Sequence, residues 1–133
     1  MRRLIAVIAA VLVNLSIWVA VEIVGGVDLQ QPGFGDQPST DLGAGQVVAA
    51  TAVATLLGWA LLAVLERVNR RRGGTIWTVL AVAFTLLSIG SPLAGTGITT
   101  GNRLTLVAMH VAAALTFIPL VRRTVPAQEM SNA

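Results

Sequence analysis

The chain has 133 residues, 55% of them hydrophobic and only 11% charged, where a soluble domain carries about 25% charged residues. Its mean hydropathy is +0.79, and its net charge of +3 comes from nine arginines without a lysine. Cysteine is absent and His110 is the single histidine, so disulfides, thiolate catalysis, a zinc site of ordinary make-up and a bis-histidine haem within one chain are excluded.

Four uncharged windows follow in order: Leu4 to Val21, Leu42 to Leu65, Thr75 to Asn102 and Leu104 to Val121. A helix needs roughly 17–25 apolar residues to cross a hydrocarbon core. The windows therefore predict an all-α integral membrane four-helix bundle with spans at about 4–24, 46–65, 76–93 and 104–121. The single domain covers 1–133.

The first segment starts with Arg2 and Arg3. Its apolar stretch is longer than the roughly 7–15 residues of a signal peptide and lacks an A-x-A site, so an uncleaved helix is expected. Asn14, Trp18 and Glu22 recur at intervals of four and share an arc of about 80°. Asn14 falls near the bilayer centre, where an amide needs a partner, and the expected one is a threonine of another helix. Trp18 reads as an outer interfacial anchor, and Glu22 as a carboxylate reaching the head groups or pairing with His110. The segment at 25–45, with Pro32, Pro38, Asp28, Asp36 and Asp41 among several glycines, predicts an irregular extracytoplasmic loop.

In the second span Ala50, Ala54 and Gly58 are spaced by four and flanked by Thr51 and Thr55, a candidate helix-packing face. Trp59 reads as a packing residue. The segment at 66–75 holds Arg67, Arg70, Arg71 and Arg72. These arginines set topology, with contact to anionic lipid as the alternative reading. Gly73 and Gly74 are expected to end the helix or its connection.

The third span aligns Thr78, Ala81, Thr85 and Ser88 along one stripe, with Trp77 as an inner interfacial anchor. Gly90, Ser91 and Pro92 predict either the turn leaving this span or a re-entrant turn through SPLAGTG. The fourth span presents Thr105, Ala108, Ala112 and Thr116 as a comparable face, and Pro119 frees the carbonyl of Leu115. His110 lies about 10 Å below the outer surface, from a rise of about 1.5 Å per residue. An ionisable residue at that depth faces the bundle interior or a wet cavity. Asn14, Glu22 and His110 together form the candidate intramembrane polar site.

With four spans, Arg2, Arg3, Arg67, Arg70, Arg71, Arg72, Arg122 and Arg123 share one side, and Arg103 lies opposite with the loop aspartates. The positive-inside rule then gives a multi-pass protein of the bacterial inner membrane with both termini cytoplasmic. Arginines at span ends do not make the solvated face that nucleic acid requires.

The asparagine and tryptophan of span one, the GWALLAVLER end of span two, TIWTVLAVAFTLLSIGSPL and RLTLVAMHVAAALTFIPL together give a pattern. It resembles a family of small four-helix membrane proteins from actinobacteria, catalogued as a domain of unknown function. The matching positions are Asn14, Trp77, Ser88, Pro92, Arg103, His110 and Pro119. The resemblance implies the fold and the membrane setting, and no activity, cofactor or catalytic residue.

No nucleophile, base and orienter stand together, so an enzyme is not expected. The leading expectation is an accessory or scaffold subunit that packs against a larger membrane complex, or a homo-oligomer in the bilayer. The alternative is binding, sensing or transport of a small lipophile or a proton through the polar patch at His110, Asn14 and Glu22.

Overall fold

In the computed structural model, which describes residues 1–126, four helices account for most of the chain. The first, α1, runs over Arg2–Trp18 and passes without a break into one wider π-helical turn at Val19–Val24. The others are α2 at Ala44–Val68, α3 at Gly73–Ala94 and α4 at Thr100–Arg122. Each is long and apolar enough to cross a membrane, at the positions expected from the charge-free windows. Residues 127–133 of the expected single domain lie outside the described residues.

The helices alternate in direction, and α1 packs on α2 and α4 while α3 packs on the same two. That places the two ends of the bundle chemically apart. At one end Arg3 pairs with Glu66 at 2.6 Å and donates to the Thr124 hydroxyl at 2.9 Å, tying α1 to the last turn of α2 and to the chain beyond α4. Arg122 donates at the same end to the Gly74 carbonyl and the Thr78 hydroxyl of α3.

Two apolar clusters fill the interior. Ala6, Val7, Ala10, Leu62, Trp77, Phe117, Val121 and Val125 form one near the arginine end. Leu29, Leu42, Val47, Leu106 and Met109 form the other, with Ile17 and Trp18 against them. Around this interior lies a coat of large apolar side chains, such as Leu57, Leu86, Leu87 and Leu115, each more than 60% exposed. An exposed apolar surface on this scale is stable in lipid and not in water. This is a membrane protein.

Several local expectations change. The α2–α3 connection is only four residues, and of the two expected places its glycines take the second, ending the connection where α3 opens and not ending α2. Gly73 is buried, and a Cβ there would stand 2.9 Å from the carbonyl carbon and oxygen of Leu65, so only glycine lets the helices meet this closely. Pro92 is buried inside α3, which continues to Ala94, so there is no re-entrant segment at SPLAGTG.

The 25–45 segment is more ordered than an irregular loop. Gln30–Gln31 (β1) pairs antiparallel with Thr40–Asp41 (β2), and Gly33 exchanges both backbone hydrogen bonds with Thr96 in the α3–α4 turn. At Gly33 an added Cβ would fall 2.0 Å from the Gln37 carbonyl oxygen. The strap is held by Leu29 and Leu42, whose side chains are buried in the second cluster.

Candidate functional site: the polar seam of the first helix

Asn14, Trp18 and Glu22 do share one side of the first span, and each is tied to a different point further along the chain. The Asn14 side-chain amide donates to the Thr51 hydroxyl of α2 at 3.0 Å. One turn further, the Trp18 indole donates to the Leu42 carbonyl at 2.7 Å, just before α2. Within the π-helical turn, the Glu22 carboxylate accepts the Leu29 amide at 3.1 Å. The seam thus fastens α2 and the whole connecting strap to α1.

The π-helical turn matters to this arrangement. At its end the Gly25 amide reaches the carbonyl of Ala20, five residues back, at 3.0 Å. The wider winding resets the register after Trp18, as single π turns do in long helices. Glu22 therefore meets the strap and serves as its acceptor.

Asn14 is 7% exposed and lies between the two apolar clusters, with Thr51 and Thr55 as the buried polar residues of α2 beside it in depth. The Thr55 hydroxyl turns back to the Thr51 carbonyl at 2.7 Å. The Asn14 side-chain oxygen is buried and has no hydrogen-bond partner among the described residues. This is a thin polar layer in an apolar interior, and a local identity mark for the α1–α2 contact.

His110 stands apart. It is half-buried, and its Nδ1 contacts the Leu106 carbonyl of its own helix at 2.7 Å. Among the described residues no hydrogen bond or ion pair joins His110 to Glu22 or to Asn14. The three side chains therefore occupy three separate settings. No group of three or more histidine, aspartate or glutamate side chains suited to a metal ion occurs among the described residues.

The helix faces are also redistributed. The interior side of α2 is Val47, Thr51, Thr55 and Leu62, whereas Ala50 and Ala54 are exposed. One residue is about 100° around a helix, so the expected alanine stripe is turned outward by one step and the flanking threonines close the bundle. Gly58 remains a close-approach point. An added Cβ would sit 3.1 Å from the Phe117 ring, and the Gly58 carbonyl accepts the Trp77 indole at 2.7 Å. Trp77 is 1% exposed, with its ring edge-on to Phe117 at 6.0 Å, so it is a core residue and not an interfacial anchor. Trp59 packs against the same cluster.

On the remaining faces, Thr78, Thr85, Ser88 and Ala112 are half-buried. The hydroxyls of Thr78, Thr85, Ser88, Thr105 and Thr116 donate to carbonyls of their own helices, a local bond open to any membrane-helix hydroxyl. Thr78 also accepts from Arg122, which fixes the start of α3 against the end of α4.

Two polar fixtures at the strap end went unassigned in the sequence. Arg103 donates to the carbonyls of Pro92, Leu93 and Gly95, satisfying the open end of α3. Asn102, 3% exposed, donates through its side chain to the Gln30 carbonyl at 3.1 Å. Thr99 caps α4 by accepting the Asn102 amide. The lone arginine opposite the other eight was the available signal, since a cation beside helix C-termini is stabilising.

Arg67, Arg70, Arg71 and Arg72 are all exposed at the opposite end. An open cleft of about 570 Å³ there is lined by Ala63, Glu66, Arg67 and Arg70.

No curated protein and no solved structure matches the chain. Residues 1–127 match the family of unknown function DUF6069. The match covers every span, the strap and the arginine turn, and the chain belongs to that family.

Proposed function

We propose that the protein is a non-enzymatic accessory or scaffold subunit of the bacterial inner membrane, packing through the outer side of α2 against a larger membrane protein. The observation that carries this reading is the outward position of Ala50 and Ala54. Small side chains on a lipid-facing surface allow another helix to approach closely, and packing rather than hydrophobicity drives association in lipid. The polar side chains of α1 support it from the other side, since Asn14, Trp18 and Glu22 are spent on holding the chain's own fold.

The arginine-rich end is assigned to the cytoplasm, with both termini, because eight of the nine arginines gather there. The lipophile or proton reading has less support. It requires His110, Asn14 and Glu22 to converge, and each bonds to a separate partner.

The test is mild extraction from the native membrane followed by native mass spectrometry, on the parent and on Ala54→Leu. A reproducible protein partner that Ala54→Leu releases while the variant stays folded supports the assignment. A partner-free parent, or full retention in the variant, overturns the α2 docking face.

A further inference from the structure

The arginine end carries charge that the fold does not use. Glu66 is the one acidic residue at that end among the described residues, and Arg3 already pairs with it at 2.6 Å. Arg122 is occupied with Gly74 and Thr78. Arg67, Arg70, Arg71 and Arg72 form no side-chain hydrogen bond or ion pair among the described residues.

The four are not equivalent. Arg67 and Arg70 line the cleft of about 570 Å³ together with Glu66 and Ala63, while Arg71 and Arg72 lie outside it. The cleft is open to its surroundings, which suits a head group that stays in contact with water. Ala63 and Arg67 are four apart on α2, so they stack on one side of the helix about 6 Å apart in height. The cleft therefore runs from a small side chain in the apolar span to two guanidinium groups at its end. It matches the build of a phospholipid, whose acyl chains meet the span where its phosphate meets water.

We propose that this cleft binds the head group of an anionic glycerophospholipid. Arg67 and Arg70 hold the phosphodiester, since the planar guanidinium fork matches phosphate oxygens. The Arg3 pair neutralises Glu66 through Oε1, which lowers its repulsion of the phosphate. The other carboxylate oxygen accepts a hydroxyl of a glycerol head group. This assignment does not depend on the accessory-subunit reading.

The full chain in a maltoside detergent is titrated with phosphatidylglycerol or with phosphatidylcholine of the same acyl chains, and bound lipid is counted by native mass spectrometry. The expected result is a preference for phosphatidylglycerol of about tenfold, in keeping with the attraction of anionic lipid to paired arginines. Arg67→Gln with Arg70→Gln abolishes it, whereas Arg71→Gln with Arg72→Gln, equal in net charge, retains it within about twofold. Ala63→Phe obstructs the apolar end of the cleft with every charge kept, and it too abolishes the preference.

Equal losses from the two arginine pairs mean a diffuse surface field and overturn the site. So does a preference that survives Ala63→Phe, or a parent without any preference. Release of the lipid by inorganic phosphate at millimolar concentration assigns the cleft to free phosphate and overturns the lipid assignment.

Discussion

Asn14 donates to Thr51 at 3.0 Å in the middle of the bundle, and among the described residues this is the one side-chain to side-chain hydrogen bond between α1 and α2 in the interior of the spans. It lies between the two apolar clusters. Apolar contacts alone would tolerate a helix sliding by one turn. The Asn14–Thr51 bond does not, because a slip leaves a buried amide without a partner.

A double-mutant cycle should detect that bond. Asn14→Ala and Thr51→Val each destabilise, and the coupling between them is about 0.6 kcal/mol, with about 1.7 kcal/mol as the upper range for such bonds. Reversible unfolding in mixed micelles measures it, and a coupling indistinguishable from zero removes the bond from the account of α1–α2 register.

The contact of Trp77 with Gly58 and Phe117 predicts a graded series. Trp77→Phe keeps most of the ring but loses the bond to the Gly58 carbonyl, costing about 1 kcal/mol. Trp77→Ala also opens a cavity, costing about 3–5 kcal/mol. Gly58→Leu forces the Phe117 ring from its place and also destabilises. Equal thermal midpoints for Trp77→Phe and Trp77→Ala would contradict the core position of this ring.

At the strap end, two substitutions should loosen different backbone segments. Glu22→Ala removes the acceptor of the Leu29 amide, so hydrogen exchange at Leu29 rises while the α3–α4 turn is unchanged. Arg103→Ala uncovers the carbonyls of Pro92, Leu93 and Gly95, so exchange rises across the α3–α4 turn. Identical exchange maps for the two variants would show that the strap and the turn open as one unit.

The chain has no cysteine, so a single introduced thiol reports topology cleanly. Asp36→Cys on the strap and Val68→Cys at the end of α2 lie at opposite ends of the bundle and are both exposed. In intact cells a membrane-impermeant maleimide should label Asp36→Cys alone, with Val68→Cys reacting only after permeabilisation. The reverse pattern would invert the assigned orientation.

Much of the architecture is written in charge placement. The uncharged windows foretell all four spans to within a few residues at their ends, because a charged side chain in the hydrocarbon core costs several kcal/mol. The spacing of Asn14, Trp18 and Glu22 foretells a shared face, and a threonine partner for Asn14 follows from its depth. The helix faces were less legible. Ala50 and Thr51 are adjacent, and in an all-apolar helix no amphipathic contrast tells which one turns inward. Trp77 reads as an interfacial anchor from the sequence, and only the packing across the bundle shows that its indole reaches the Gly58 carbonyl in the core.

The number of spans, the gathering of arginines at one end and the need of Asn14 for a partner all follow from the sequence by itself, since burial of charge in lipid forbids the alternatives. The tertiary structure alone decided that Glu22 and His110 stay apart, that the strap folds onto the α3–α4 turn, and that Arg67 and Arg70 share a cleft from which Arg71 and Arg72 are left out. Those outcomes depend on helix rotation and on close backbone approach at Gly33, Gly58 and Gly73. Both are set by packing between segments distant in the chain, for which a run of apolar residues carries no local signal.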